Sequence, residues 1–161
     1  PYCMNTLKNE YPQFGGDFEV MHHTILLARL LAEGKLPKLS GEKPLNVVYH
    51  DSCYLGRYNG IYDAPREVLH AAGASLSEAA HSHKNGLCCG AGGGLMFREE
   101  KVGERMNQRR LRQLEETGAS VVASACPYCL VMLRDGVNEC GLQDGLKTLD
   151  VAEMLDQRLL S

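Results

Sequence analysis

The sequence predicts an α/β fold: a mostly parallel sheet with flanking helices and a site beyond the carboxyl ends of the strands. Two observations carry this. Short runs rich in Val and Tyr alternate along the chain with longer helix-patterned segments, as in repeated strand–helix–strand units. Cys53 and Cys126 each fall just past a predicted strand end, where such sheets place their sites.

The elements follow in order. A polar loop with Gly15 and Gly16 precedes Phe18 to His22, which reads as a strand, and Ile25 to Gly34, which reads as a helix. The loop from Lys38 to Pro44 enters Asn46 to His50, a short buried strand. Asp63 to Ala72 reads as a helix capped by Asp63, with Pro65 in a first turn that needs no N–H there. Ala74 to Ala80 is a further candidate strand, and Cys88 to Gly94 (CCGAGGG) a glycine-rich turn. Arg98 to Glu116 is helical by composition and ends at Gly118, although Val102 and Met106 align poorly with Leu111 and Leu114. Ser120 to Ala125 is a strand that runs into Cys126, and Pro127 to Val137 a helix opening at Cys-x-x-Cys. Leu146 to Asp150 is the last strand. Val151 to Leu160 is the last helix, with Val151, Met154, Leu155 and Leu159 on one face.

Two stretches run in parallel. Pro1-Tyr2-Cys3 with its following loop, strand and helix corresponds to Cys126-Pro127-Tyr128-Cys129 with the same series. The expectation is that residues 1–36 are the remnant of one repeat and residues 45–161 a complete second one. A cysteine is then expected just ahead of Pro1 in a longer parent protein.

Bulk properties remove several function classes. With 161 residues, 44% hydrophobic and 23% charged, the chain can form a core without disulfides or metal. A net charge of -3 argues against a nucleic-acid partner. No apolar run approaches the ~20 residues that span a bilayer; the longest, Ile25 to Ala32, is broken by Arg29. No basic-then-apolar leader is visible, so a cytoplasmic location is expected. In that compartment seven cysteines, an odd number, are expected to bind metal or do redox chemistry rather than to pair.

Five of them form a pattern: Cys53, a gap of thirty-odd residues, Cys88-Cys89, a similar gap, then Cys126-x-x-Cys129. Thiolates are soft ligands that suit iron–sulfur clusters and zinc. A Cys-x-x-Cys at a helix start aims two sulfurs at one point, where the helix N-terminus favours their negative charge. The glycines after Cys89 let the backbone approach an anionic group, and the amides from Gly90 to Gly94 can bond to its sulfurs. Adjacent cysteines would form a strained disulfide, whereas two ligands explain them simply. Alone, each part is weak: a Cys-x-x-Cys also occurs in redox pairs and half zinc sites. No Lys-Ser or Lys-Thr follows the glycines, so they are not a nucleotide loop.

The arrangement resembles the cysteine-rich CCG domain of heterodisulfide reductase and its relatives, a Rossmann-like fold. Those relatives include the iron–sulfur subunits of glycolate oxidase and anaerobic glycerol-3-phosphate dehydrogenase, and lactate-utilisation proteins. The flanking text YHDSCYLGRYNGIYDAPREVL, LCCGAGGG and SACPYCLVML carries the resemblance, from about Asn46 onward. The text is most similar to large iron–sulfur oxidoreductases that resemble electron-transfer-flavoprotein:menaquinone oxidoreductases. The resemblance implies a noncubane [4Fe–4S] cluster on Cys53, Cys88, Cys89, Cys126 and Cys129, with Gly90 beside it. A cubane or a zinc ion needs only four ligands, and zinc in one such site remains the alternative. It also implies upstream iron–sulfur and CCG domains in the parent protein, a flavoprotein or dehydrogenase partner, and membrane association only through that parent.

Three functions follow, in order of preference. The first is one-electron relay through the cluster, with no catalytic residue in this chain. The others are a structural zinc module and thiol–disulfide reduction at the cluster. The remaining residues have plainer readings. His50 ends a strand and Asp51 caps a turn, or both tune the cluster. His22 and His23 pack or lie on the surface, and His81 and His83 lie in an exposed polar loop. Arg98, Arg105, Arg109, Arg110 and Arg112 form a solvated basic face or dock an acidic partner. Cys140 is a buried thiol outside the motif. Tyr54, Arg57 and Tyr58 match the family text without an assigned role.

Overall fold

Val47, Val48 and Tyr49 are all buried, and period-two alternation sends Val47 and Tyr49 to one side of their strand and Val48 to the other. A strand apolar on both faces belongs in the middle of a parallel sheet covered by helices on both sides. The computed structural model, which describes residues 1–37, 39–40, 43–98 and 103–159, has that architecture. Strands β1 (Leu45–His50), β2 (Ala74–Ser77), β3 (Val121–Ser124) and β4 (Lys147–Asp150) form one all-parallel sheet in the order β2-β1-β3-β4. The register sets Val48 beside Val122 and places His50, Ser124 and Asp150 level at the carboxyl edge.

Helices α1 (Tyr2–Asn9), α2 (His23–Ala32), α3 (Asp63–Ala71), α4 (Met106–Glu115), α5 (Pro127–Glu139) and α6 (Val151–Asp156) complete the fold. Two core clusters result, one on each face of the sheet. Val48, Leu111, Leu114, Val122 and Leu133 pack on the α4–α5 side, together with Cys89, Cys126 and Cys129. Val47, Tyr49, Leu69, Val121 and Leu155 pack on the α3–α6 side, joined by Leu27, Ala28 and Leu31 of α2. The α4–α5 cluster therefore runs directly into the cysteines.

Local chemistry explains the ends. Helix α5 starts with Pro127 at its first position and Cys126 at its N-cap. Asp150 caps α6 in a capping box: Ala152 N donates to Asp150 Oδ1 at 2.8 Å, and Asp150 N donates to Glu153 Oε2 at 2.7 Å.

Several elements differ from expectation. Phe18 to His22 is not a strand, because no neighbouring strand offers it a ladder; His22 instead caps α2, accepting from Thr24 N. Helix α4 starts at Met106, not Arg98; Gly92–Phe97 forms a 3-10 segment with left-handed φ at Gly93 and Gly94. Tyr62 holds the N-cap position of α3, and Asp63 lies in its first turn, where its charge still favours the dipole. The strand from Ala74 stops at Ser77. Lys38, within the expected loop to Pro44, and Val102 and Leu160 lie outside the described residues. Tyr11, Phe14, Phe18 and Leu26 are exposed large apolar side chains in the first part of the chain.

Candidate metal centre

Three chain crossings of the sheet's carboxyl side deliver the cysteines. Cys53 sits on the loop leaving β1, Cys126 and Cys129 span the junction of β3 with α5, and Cys88-Cys89 lie on the loop between β2 and α4. All five line one cavity of about 430 Å³, with Ser52 and the Gly92–Gly94 backbone. Cys3 is exposed, and Cys140 is half-buried against the core beyond the C-terminus of α5. Neither is among the lining residues.

The sulfurs are close enough to interact in a continuous series. Cys53 contacts Cys88, Cys88 contacts Cys89, and Cys126 contacts Cys129. The Cys89 and Cys129 sulfurs lie 3.3 Å apart, well beyond a disulfide bond of about 2.05 Å. All seven cysteines are free thiols. Gly90 shapes the turn behind the pair. Its φ of +88° suits glycine, and a Cβ there would lie 3.0 Å from Met106 Cβ. Its N–H donates to Cys88 Sγ at 3.4 Å.

Crowding divides these thiols electrostatically. Hydrogen bonds from the Cys53 and Cys89 thiols hold Cys88 well below the ordinary thiol range. The Cys129 thiol holds Cys126 down at about 6. Their partners Cys53 and Cys129 are pushed up, because donating to a thiolate and burial both oppose their ionisation. Five adjacent sulfurs cannot all be negative without a cation among them, so the site has the electrostatics of a metal pocket.

Buried polar side chains hold the loops in place. Asp51, just after β1, accepts both Nη1 and Nη2 of Arg66, at 2.8 and 2.9 Å. Arg66 also bonds Glu78 at 2.6 and 2.9 Å and lies over the Tyr49 ring, 4.9 Å from its centroid. His83 N donates to Asp51 at 2.7 Å, and Arg57 donates to Gly86 O at 2.7 Å. The Cys53 loop is thus tied to the segment that leads into Cys88. Asp51 is not a simple turn cap, and Arg57 has a clear structural role.

The basic helix needs correction. Arg109 and Arg112 are exposed, but Arg110 is fully buried, and Arg98 lies outside α4. Arg105 pairs with Glu139. Arg110 Nε donates to His50 Nδ1 at 3.1 Å, and Nη1 donates to His81 O at 2.8 Å and to Gln113 Oε1 at 3.0 Å. His50 is itself buried, and desolvation and the Arg110 charge push its imidazole down to about 3, so the ring is neutral. The sequence did carry a signal: Asn107, Arg110, Leu111 and Leu114 follow the i, i+3, i+4, i+7 spacing of one core-facing stripe.

The mouth of the cavity is aromatic. Tyr2 meets Tyr54 edge-on at 4.8 Å and Tyr128 at 6.4 Å, and Tyr58 stacks on Tyr54 at 4.6 Å. Tyr2 brings the first segment of the chain to the site, which no motif announced. His22 is buried, whereas His23 is partly exposed and its Nε2 lies 3.4 Å from Asp150 Oδ1. His81 and His83 are exposed, as expected.

Comparison with known proteins adds a family. The CCG cysteine-rich domain family matches residues 47–134, more than half of the chain. A protein of Bacillus subtilis named "Probable iron-sulfur-binding oxidoreductase FadF" is 50% identical over 99% of this chain, which covers 23% of that protein. The "EtfAB:quinone oxidoreductase" of Syntrophomonas wolfei is 46% identical over 96% of the chain and 22% of its own length. A dihydromethanophenazine:CoB–CoM heterodisulfide reductase component of Methanosarcina barkeri is 36% identical over 98% of the chain and 39% of its own length. The chain thus spans about a quarter of the first two relatives and well under half of the third. Among the described residues, no helix is long and apolar enough to cross a membrane.

Proposed function

The chain belongs to the CCG family of cysteine-rich domains, and on that premise we propose that it is an electron-relay module holding an iron–sulfur cluster on Cys53, Cys88, Cys89, Cys126 and Cys129. The observation that carries the proposal is the convergence of these five thiols on one cavity at the carboxyl edge of the sheet. The residues fit such a group. The donors are soft and free, and the buried polar atoms His50 Nε2, Ser52 Oγ and Arg110 Nη2 have no protein partner. A bound cluster would accept and release one electron at a potential set by its surroundings.

Each residue has a task in this reading. The cysteines provide negative sulfur, the Gly90–Gly94 turn provides close backbone approach, and the core under Cys89, Cys126 and Cys129 keeps water out from below. The fifth thiolate favours the noncubane [4Fe–4S] form, since a cubane or a zinc ion is complete with four ligands. Two relatives are named as oxidoreductases several times longer than this chain, one of them with EtfAB and a quinone in its name. Those names support a relay with an electron-transfer flavoprotein or a quinone at its ends. This chain would be one module of such a protein, on the cytoplasmic side and attached to a membrane only through other parts. Residues 1–36 would belong to a preceding CCG repeat.

The test is a serine scan on protein purified without oxygen. Serine at any of Cys53, Cys88, Cys89, Cys126 or Cys129 should lower iron content or alter the spectrum. Serine at Cys3 or Cys140 should change neither. Full iron and an unchanged spectrum in Cys53→Ser and Cys88→Ser would remove those residues from the ligand set. One zinc per chain and no sulfide would favour the structural module.

A further inference from the structure

Arg110 is a guanidinium with no exposed surface and, among the described residues, no carboxylate in ion-pair contact. Its neighbour Asp51 is already bonded through both oxygens to Arg66. Three of the Arg110 donors have neutral partners, and Nη2 has none. An unbalanced buried charge of this kind is expensive and persists where an anion shares the interior with it. The other groups whose negative charge acts on Arg110 include Cys129 and Cys89.

His50 links that charge to the sulfurs. Arg110 Nε–H can only donate, so His50 Nδ1 must accept, and a neutral ring then carries its proton on Nε2. That Nε2–H is buried without a partner. A ring nitrogen of His50 and the Cys89 and Cys129 sulfurs all lie within 4.8 Å of one another. With Nδ1 occupied, Nε2 is the nitrogen free to act there. A protonated Nε2 cannot ligate a metal; it can donate a hydrogen bond to sulfur.

We propose that Arg110 and His50 form a fixed positioning pair behind the cysteine centre: His50 donates its Nε2–H to a sulfur of the bound group, and Arg110 locks the tautomer and supplies the balancing positive charge. This rests on the iron–sulfur reading above. Both interactions favour the more negative, reduced state, so the pair raises the reduction potential. A charge-assisted hydrogen bond is worth about a tenfold change in an equilibrium.

The experiment is an EPR-monitored potential titration of the anaerobically purified holoprotein, with pulsed EPR after ¹⁵N-histidine labelling. His50→Leu should lower the potential by about 59 mV, the one-electron equivalent of tenfold. His50→Gln, which keeps an N–H, should recover most of that, with iron and sulfide content unchanged. Arg110→Met should also lower the potential, and Arg110→Lys should fall between it and wild type. The labelled wild type needs no variant and should show one weak ¹⁵N coupling, as expected through a hydrogen bond. A strong coupling from a directly bound nitrogen, no coupling, or an unchanged potential in fully loaded His50→Leu would overturn the proposal. A wild-type protein with zinc and no cluster would instead overturn the reading beneath it, and the pair's role with it.

Discussion

Arg66→Met should cost the fold about 3–5 kcal/mol, because it strands a buried carboxylate. The Asp51 side chain is 3% exposed and the Arg66 side chain 10%. Two hydrogen bonds of 2.8 and 2.9 Å join them, and the substitution removes both. Asp51 would keep only the bond from His83 N. Glu78 would lose its partner too, but as the more exposed member it should add little. Burial alone would raise the Asp51 pKa, yet the bonds and charge of Arg66 outweigh it and hold the carboxyl below its ordinary value. A depressed carboxyl contributes stability that is complete above the ordinary carboxylate range and is lost as pH falls through the lowered value. Urea denaturation of the metal-free, reduced protein at pH 7 measures the loss. Asp51→Asn should cost less, since Arg66 keeps Glu78. The double variant should cost less than the sum of the two singles, because the stranded charge is gone. A loss below about 1 kcal/mol for Arg66→Met, the scale of a surface pair, would refute the reasoning.

Two further outcomes follow from the same geometry. Gly90→Ala should destabilise by about 1–3 kcal/mol, since it combines a φ of +88° with a Cβ placed 3.0 Å from Met106 Cβ; urea midpoints check this, and a neutral result would mean the turn relaxes freely. His22 is held down at about 3 by burial and by the neighbouring His23, so the unfolded chain binds a proton near pH 6.5 that the folded chain refuses. Stability should therefore fall as pH drops from about 6.5 toward 3, and His22→Gln should flatten part of that slope; equal slopes in both proteins would count against it.

The parts of the fold written in side-chain pattern were legible, and the parts set by partners were not. Val47-Val48-Tyr49 and Val121-Val122-Ala123 read as central strands because both faces are apolar and short. Phe18 to His22 has similar chemistry, but a strand exists only where another strand pairs with it. The misaligned apolar residues between Arg98 and Leu114 already hinted that one helix could not hold them all; Gly93 and Gly94 at left-handed φ lie in the 3-10 segment ahead of Arg98. At the site, the cysteines were visible because their spacing places them past strand ends. Arg110 was not, because composition assigns an arginine to solvent, and only its place on the Leu111–Leu114 stripe marks it as buried. Tyr2 reaches the cavity through tertiary packing that no local pattern encodes.

The most direct test of the account is iron and acid-labile sulfide content on protein purified without oxygen, read with its absorption spectrum. The account predicts about four irons and four sulfides per chain and absorption near 400 nm that bleaches on reduction. A protein with one zinc, or with no metal and its cysteines paired as disulfides, would contradict it.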